Sequence, residues 1–570
     1  MKCTGWLALV ADDDAAADMD ASQRSARHPA GLTVLYLTEV WERFSFYGLK
    51  ALLVLFLNSG VLEPPRFERV YGCWLVTLMF GTAEGQQAVQ ALSSRINQAY
   101  SGSAYLTPLI GGVVADSVLG TRSTLILGGL SMAAGHACMA YEPTFLVGLL
   151  LLVVGNGAFK PTVSALLSRL YEPPGMSSLR ERGFAIFFTG INVGALLAPL
   201  VCGLLQQRIG YDAGFGAAGV GMLIGLLCFF AGSHHLPSDT EGPRGSREPL
   251  LADSSAMDAE PLDGASGGGG GSCGGGGSGS SSAGGGGSGS SSGDRGHRWR
   301  RDGMPALAGI CASIIPFWVA FEQWSNVVPL FARDLTDRVV LGVAWPAAWL
   351  QSVSPMLCIA LMPLVTGLWA AQSRRGTEPQ PCVKMAIGCA LQGSAWLVMA
   401  VGSRGVSEES KVSVMLPLSA AVLLTAGQVY VGPVGLSLVS RCCPANMKST
   451  AIGVWFLAGG VGGLIAGPVG ALYSSWSRPG FFALLCLVCY ADSALVALVA
   501  PKLHRAAAAS IEDGESKRKR EDSLYCHELG KMQMSDEHDA CRVGTSSLMV
   551  HGGANACIIE PRVGVSVMKL

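Results

Sequence analysis

The sequence contains little charge and none of the residue patterns on which enzymes depend. Only 14% of its 570 residues are Asp, Glu, Lys or Arg, whereas soluble domains carry roughly 25%. The net charge of −1 offers no basic surface to a nucleic acid, so nucleic-acid binding is excluded. There is no Ser–His–Asp set, no phosphate-binding loop and no metal-ligand spacing among the nine histidines. We therefore expect no enzyme, no catalytic residue and no bound metal.

Long apolar runs take the place of the missing charge. Half of the residues are hydrophobic, and they form about twelve runs close to the roughly 20 residues that cross a bilayer as a helix. Six runs lie within 31–235 and six within 304–501. The second, seventh and eighth runs are expected to begin near 94, 304 and 342. We predict an all-α membrane protein with about twelve transmembrane helices in two six-helix halves.

Three polar segments flank these halves. Residues 1–30 and 502–570 are predicted to be disordered cytosolic ends, and 236–303 to be a cytosolic Gly/Ser-rich linker that cannot bury a core. Lys and Arg concentrate in the loops on the side of the two ends, so both termini are predicted to be cytosolic. The sequence leaves open whether the membrane is the plasma membrane or one of vacuolar or lysosomal type.

One apolar stretch does not fit the pattern of spans. Phe67 to Gly81, "FERVYGCWLVTLMFG", is apolar but too short to cross a bilayer. It is either a segment that lies at the membrane interface or an error in the gene model.

The first apolar run, in "LTEVWERFSFYGLKALLVLFL", carries four charged residues. Each of them costs at least about 2.5–3.5 kcal/mol at bilayer depth. They lie at helical spacing on one side, with lipid-compatible residues opposite: Glu39, Glu42, Arg43 and Lys50. This stripe must therefore face the interior of the bundle or water.

Two other apolar runs contain charges that can pair with the stripe. Lys160 lies in "GNGAFKPTVSALL" and Glu322 in "PFWVAFEQWSNVV". Three acids and three bases then sum to zero, a balance that a low-dielectric interior tolerates and that a proton or an anion can disturb. Such pairs either lock a bundle or line a water-accessible transport cavity. Six charges spread over both halves favour the cavity.

Several stretches together resemble the proton-dependent oligopeptide transporter family of the major facilitator superfamily. "EVWERFSFYG" is similar to the family's ExxERFxYYG motif, and "YLTPLIGGVVADSVLGTR" to its second span and the following turn. Further similar stretches are "GNGAFKPTVSALL", "FFTGINVGALLAPL", "FEQWSNVVPLFARDLTDR" and "GPVGLSLVSRCCP". The resemblance covers nearly all spans but neither end, nor the linker, nor the 60–90 insert. It implies the major facilitator fold, a monomer in the lipid bilayer, and no cofactor, with protons as the coupling ion.

The resemblance also implies proton-coupled symport of di- and tripeptides by alternating access. It assigns proton coupling to Glu39, Glu42, Glu322 and Lys50. It assigns substrate binding to Arg43, Tyr47, Lys160, Asn192, Trp318, Ser354, Gln428 and Trp455. Arg43 and Lys160 would receive the peptide carboxylate once protonation of an acid frees a cation, so that proton and substrate assist each other's binding.

The sequence departs from the family where the family binds the peptide amine. Gln428 replaces the usual Glu of span ten, Gly432 replaces the Ser that follows it, and Ser354 replaces the Asn of span eight. We expect a retained carboxylate end and a weakened amine end, since one negative charge beside an ammonium contributes about 1–3 kcal/mol. Proton-coupled transport of nitrate or another anionic solute is therefore an alternative. A non-transporting nutrient sensor is a third reading.

Overall fold

The computed structural model describes residues 28–173, 176, 179–237, 292–441 and 448–498. This part of the chain is almost wholly helical. Its long helices are α1 (Ala30–Phe56), α3 (Gln86–Val114), α4 (Thr121–Met139), α5 (Phe145–Arg169), α6 (Arg180–Arg208), α7 (Tyr211–Gly232), α8 (Ser292–Asn326), α10 (Leu350–Arg374), α11 (Pro381–Gly402), α12 (Met415–Arg441), α13 (Lys448–Ser475) and α14 (Arg478–Leu498). The short helices are α2 (Cys73–Phe80) and α9 (Val328–Leu335).

Strands contribute little to the described chain. β1 (Thr336–Asp337) pairs in parallel with β4 (Val412–Ser413), which joins the loop after α9 to the loop after α11. β2 (Val339–Val340) and β3 (Val343–Ala344) form a small antiparallel hairpin. The prediction of an all-α protein is therefore confirmed.

Ten of the described helices are long and apolar enough to cross a membrane. The two long helices outside that set are α4, which is rich in glycine and polar residues, and α8, which contains Glu322. They take the third and seventh places in the order of long helices. The described chain thus has six long helices before residue 236. Six more follow, of which the first, α8, begins inside the predicted 236–303 linker. This agrees with the predicted two sets of six helices.

Three helices begin at residues other than those predicted from the sequence. α3 begins at Gln86 rather than near 94, because Val89, Leu92 and Ile96 recur at helical spacing and are buried although polar residues separate them. α8 begins at Ser292 rather than near 304. α10 begins later than 342, because the β2–β3 hairpin precedes it.

The ends and most of the linker lie outside the described residues. They comprise 1–27, 238–291 and 499–570. The predicted domain boundaries, 31–235 and 304–501 for the two halves, stay predictions.

Glycines let α4 and α5 approach at backbone distance. A Cβ on Gly128 would lie 2.8 Å from the carbonyl oxygen of Gly155, and one on Gly155 would lie 2.6 Å from that of Gly128. Gly135 and Gly148 repeat this relation at 2.9 and 2.7 Å. A larger residue at any of these positions would push the helices apart, so the small residues set the spacing between α4 and α5.

The two halves meet along three sets of helices. α3 crosses α13, where a Cβ on Gly463 would lie 3.1 Å from the Cα of Gly102. α6 lies against α10, where Oγ of Ser352 donates to the carbonyl oxygen of Leu196 at 2.8 Å. α1 lies against α8 and α9. The later parts of α1, α6 and α8 and the earlier part of α10 carry these contacts, while Gly102 and Gly463 lie near the middle of α3 and α13. The contacts outside the α3–α13 crossing therefore lie toward one end of the bundle.

Candidate functional site

α1 places three charged residues in the interior of the N-terminal half. Glu39, Glu42 and Arg43 are only 5%, 0% and 5% exposed. Arg43 donates from Nη2 to Oε1 of Glu42 at 2.6 Å, and its Nε lies 2.5 Å from Oε2, which makes a two-pronged ion pair. The same Nε lies 3.4 Å from Oε1 of Glu39. In these three residues, called the α1 cluster below, one cation holds two carboxylates.

Neutral groups complete the α1 cluster. Asn156 of α5 accepts a hydrogen bond from Nη2 of Arg43 at 3.3 Å. Its amide nitrogen donates to the carbonyl oxygen of Ala104 in α3 at 2.8 Å. The Cζ atom of Arg43 also lies 4.9 Å from the ring centre of Phe46, a cation–π contact. Arg43 is therefore oriented by contacts from α1 and α5, and α5 is fixed in turn against α3.

Lys160 of α5 supplies the third predicted base, and its environment is different. Its Nζ lies 4.8 Å from the ring centre of Tyr105 in α3. Among the described residues it makes no ion pair with a carboxylate. The six predicted charges therefore sum to zero without pairing evenly among the described residues, and the role of Lys160 in substrate binding stays a prediction.

Lys50 of α1 and Glu322 of α8 pair across the two halves. Nζ of Lys50 donates to both carboxylate oxygens, at 3.1 and 3.0 Å, and the residues are only 8% and 1% exposed. Ser325 donates to Oε2 of Glu322 at 3.3 Å. Gln98 of α3 donates to the backbone oxygen of Glu322 at 3.2 Å. The structure thus brings the two residues together, while their part in proton coupling stays a prediction.

A second set of polar contacts joins the halves near this pair. Nδ2 of Asn97 in α3 donates to Oδ1 of Asn326 in α8 at 3.3 Å. Nδ2 of Asn326 donates to Oε1 of Gln323 at 3.1 Å, and Gln323 donates to a backbone oxygen of α13 at 2.8 Å. Arg333 of α9 donates to Oδ1 of Asn58, just after α1, at 2.8 Å. These hydrogen bonds hold the same end of the bundle together.

The two predicted tryptophans of the C-terminal half lie against glycines. A Cβ on Gly459 of α13 would lie 3.5 Å from Nε1 of Trp318, and one on Gly435 of α12 would lie 2.1 Å from the Trp455 ring. Nε1 of Trp318 is buried and has no hydrogen-bond partner in the described part of the chain. It is a donor that an oxygen of a bound solute could meet.

Tyr47 and Asn192 are both half-buried. The ring of Tyr47 packs edge-on against Phe46, with ring centres 5.3 Å apart. Nδ2 of Asn192 donates to the carbonyl oxygen of Phe188 in its own helix at 3.2 Å. These contacts lie within α1 and α6, and a role of either residue in substrate binding stays a prediction.

The predicted amine end contains neutral groups. Thr425 of α12 donates from Oγ1 to Oγ of Ser354 in α10 at 3.0 Å, and both side chains are buried. Gln428 follows Thr425 by about one turn on α12 and is half-buried. Hydroxyl and amide groups can accept a hydrogen bond from an ammonium, but they do not supply the negative charge of a carboxylate.

Three polar residues that contact the side chains of the predicted charges were not assigned a role by sequence reasoning. They are Asn156, Tyr105 and Ser325. Asn156 precedes Lys160 by four residues and Ser325 follows Glu322 by three, so helical spacing from a charged residue could have found both. No charged residue stands near Tyr105 at that spacing, and no such signal identifies it.

The chain is similar to known proteins in sequence and in fold. The model of the POT family matches residues 122–246 and 301–479. The chain is 30% identical over 476 residues to the peptide transporter YePEPT of Yersinia enterocolitica subsp. palearctica serotype O:3 (strain YE-P4). That alignment covers 78% of this chain and 88% of the relative. The chain belongs to the POT family.

Other POT-family proteins match over most of their length. The di-/tripeptide transporter of Lactococcus lactis subsp. cremoris is 26% identical over 488 residues, which cover 81% of this chain and 93% of that protein. The crystal structure of an auto-inhibited POT family peptide transporter matches with a TM-score of 0.66 at 21% identity, over 83% of this chain and 97% of its own. This likeness confirms the major facilitator fold.

The residues that match the POT-family model include Lys160 of α5 and Glu322 of α8 but no residue of α1. Lys160 and Glu322 lie within the matched ranges, whereas the α1 cluster precedes the first of them. The relatives are named as transporters, so the prediction of a POT-family transporter and not an enzyme is confirmed.

Proposed function

We propose that this chain is a proton-coupled symporter of di- and tripeptides that works by alternating access. The observation that carries the proposal is the buried Lys50–Glu322 ion pair, which joins the two halves about two turns along α1 from Arg43. The pair supports the proposal because Glu322 lies at the contact between the two halves, which alternating access requires to separate. The relatives named as a peptide transporter and a di-/tripeptide transporter support this class of substrate.

Arg43 and Lys160 would bind the carboxylate of the substrate. Lys160 makes no ion pair within the described residues, and Arg43 is shared between two acids. Protonation of Glu39, the more distant carboxylate, leaves Arg43 with one anion and with capacity for another. Proton and substrate then favour each other's binding, which is the linkage that symport needs.

Glu322 would couple a proton to the movement of the halves. Protonation removes the negative charge that holds Lys50. A buried cation without its partner costs about 3–5 kcal/mol, which favours moving Lys50 toward water or an anion. The ion pair therefore breaks more readily when Glu322 carries a proton, and the halves can part at this end.

The predicted orientation decides which side is closed. If both termini are cytosolic, α1 ends on the opposite side of the membrane, and the contacts between the halves lie on that side. The described conformation is then closed on the side opposite the cytosol. The halves 31–235 and 304–501 would rock about the site as a monomer, in the plasma membrane or a vacuolar or lysosomal type of membrane.

The amine end supports a second candidate function. Ser354 and Thr425 form a neutral hydroxyl pair, and Gln428 stands one turn away without a negative charge. A site of this kind suits nitrate or another anionic solute that has no ammonium group. The bases at the opposite end would serve either class of substrate.

Uptake into proteoliposomes under an imposed pH gradient tests the proposal. We expect accumulation of dipeptides that depends on the gradient, and competition that weakens when the dipeptide is N-acetylated. Nitrate uptake without dipeptide uptake would select the second candidate. Equal competition by the acetylated form would remove the role of the amine end. Absence of any flux from a folded protein would leave the non-transporting sensor.

A further inference from the structure

The short helix α2 and its flanks take no part in the proposed transport site. α2 has the sequence "CWLVTLMF", and none of its side chains is buried. Trp74, Leu78 and Met79 are 68%, 76% and 65% exposed. The chain contains no charged residue from Val70 to Ala83. Seven of its eight residues are apolar, and an exposed helix of this composition needs surroundings other than water.

Contacts at both ends hold α2 in a fixed place. Before it, the backbone nitrogen of Tyr71 donates to the carbonyl oxygen of Pro143 at 2.8 Å, and Arg66 forms a two-pronged ion pair with Glu142 at 2.6 and 2.5 Å. After it, Arg95 of α3 donates to the carbonyl oxygen of Phe80 at 3.1 Å. α2 is thus fastened to the α4–α5 turn and to α3.

Two edges of α2 have different neighbours. Cys73, Val76 and Phe80 recur at helical spacing and pack against the core of the N-terminal half. On the other edges lie the exposed pairs Trp74 with Leu78 and Leu75 with Met79, each one turn apart. The packed edge fixes the rotation of the helix, so the exposed edges point away from the bundle.

The depth of α2 follows from the position of Arg95. Arg95 precedes Tyr105 on α3 by ten residues, which is about 15 Å along the helix. Tyr105 contacts Lys160, and major facilitators bind their substrate near the bilayer midplane. Half of the hydrocarbon thickness is also about 15 Å. Phe80, which Arg95 holds, therefore lies near the edge of the hydrocarbon core; this placement rests on the site proposed above.

We propose that α2 is an interfacial anchor whose exposed edges bind the boundary between lipid headgroups and acyl chains. The charges stand at its flanks, with Arg66, Glu68 and Arg69 before it and Glu84 after it, where headgroups and water lie. Tyr71 and Trp74 are residues that membrane interfaces favour. The anchor ties the α1–α3 connection to one leaflet, beside the end at which the halves meet.

Quenching of tryptophan fluorescence by brominated lipids tests this proposal on the full chain in nanodiscs. The emission of Trp74 is the difference between the unchanged protein and the Trp74→Phe variant. We expect this component to lose most of its intensity with bromine near the headgroup end of the acyl chain, and less with bromine at the chain terminus. Trp396→Phe is the matched control, because Trp396 is 1% exposed and its component is expected to stay unquenched.

Two outcomes would overturn the proposal. A Trp74 component that iodide quenches and brominated lipid does not would place α2 in water. A component shielded from both quenchers, together with a dimer in native mass spectrometry, would assign the surface to a second copy. Dipeptide uptake by the Trp74→Phe variant is measured in parallel, so failure of the anchor and failure of the transport proposal are told apart.

Discussion

The α1 cluster and the Lys50–Glu322 pair are both buried and both use charged residues of α1, yet they are built differently. The α1 cluster lies wholly within the N-terminal half, where Asn156 and Phe46 support Arg43. The Lys50–Glu322 pair has one partner in each half. Within the described residues, the first makes no contact with the C-terminal half among its ion pairs, whereas the second bridges the halves and must break for them to separate at this point. Binding and movement can therefore be tested on separate residues.

Removing Lys50 alone gives the largest expected effect. Lys50→Met leaves Glu322 buried without its cation, which costs about 3–5 kcal/mol. We expect a lower unfolding temperature at neutral pH and loss of proton-driven uptake. The double variant Lys50→Met/Glu322→Met is the control, because an apolar pair restores most of the stability but not the uptake. A single variant as stable as the unchanged protein would refute the importance of the pair.

The two acids of the α1 cluster should differ from each other. Glu42→Gln removes the two-pronged partner of Arg43 and is expected to cost about 1.5–3 kcal/mol of stability, as charged hydrogen bonds do. Glu39→Gln removes only the contact at 3.4 Å and should cost less. We expect Glu39→Gln to flatten the pH dependence of uptake instead, since the amide imitates the protonated acid. Thermal unfolding and uptake at several pH values measure both effects. Equal costs for the two variants would contradict the asymmetry.

Gln428→Glu tests whether the missing negative charge at position 428 weakens binding of the substrate amine. The substitution supplies the carboxylate that the site lacks, and we expect affinity for dipeptides with a free amine to rise by about 1–3 kcal/mol. Affinity for N-acetylated dipeptides should not rise. Competition assays with both ligands measure the difference, and Gln428→Met is the matched control of similar size. A gain shared by both ligands would show that residue 428 does not contact the amine.

Ser325→Ala gives the smallest expected effect. It removes a hydroxyl that lies 3.3 Å from Oε2 of Glu322 and 3.1 Å from the backbone oxygen of Glu322, and it leaves Lys50 in place. We expect a loss of about 1 kcal/mol in stability, the ordinary value for one hydrogen bond. Uptake should persist, with a modest change in its dependence on pH. A loss as large as that of Lys50→Met would mean that Ser325 and not Lys50 holds Glu322.

The sequence allowed the long helices and the charged face of α1 to be predicted, because hydropathy and helical spacing depend on neighbouring residues. It did not allow the start of α3 to be predicted, since buried apolar residues alternate there with polar ones. The zero sum of the charges identified the six charged residues as a group, but it did not predict which acid pairs with which base. That sum is the same whether Lys160 contacts a carboxylate or the Tyr105 ring. Partners such as Asn156 are set by the packing of α5 on α3, which no single stretch encodes.

Gly102 and Gly463 give the junction of α3 and α13 an unusual mechanical character. The backbones touch there, since a Cβ on Gly463 would lie 3.1 Å from the Cα of Gly102. Leu464 of α13 also lies over Gly102, since a Cβ on Gly102 would lie 2.7 Å from Cδ2 of Leu464. A larger residue at either glycine would therefore push α13 away from α3. If the halves rock as proposed, the crossing keeps the two helices at a constant spacing while the polar contacts at the closed end separate.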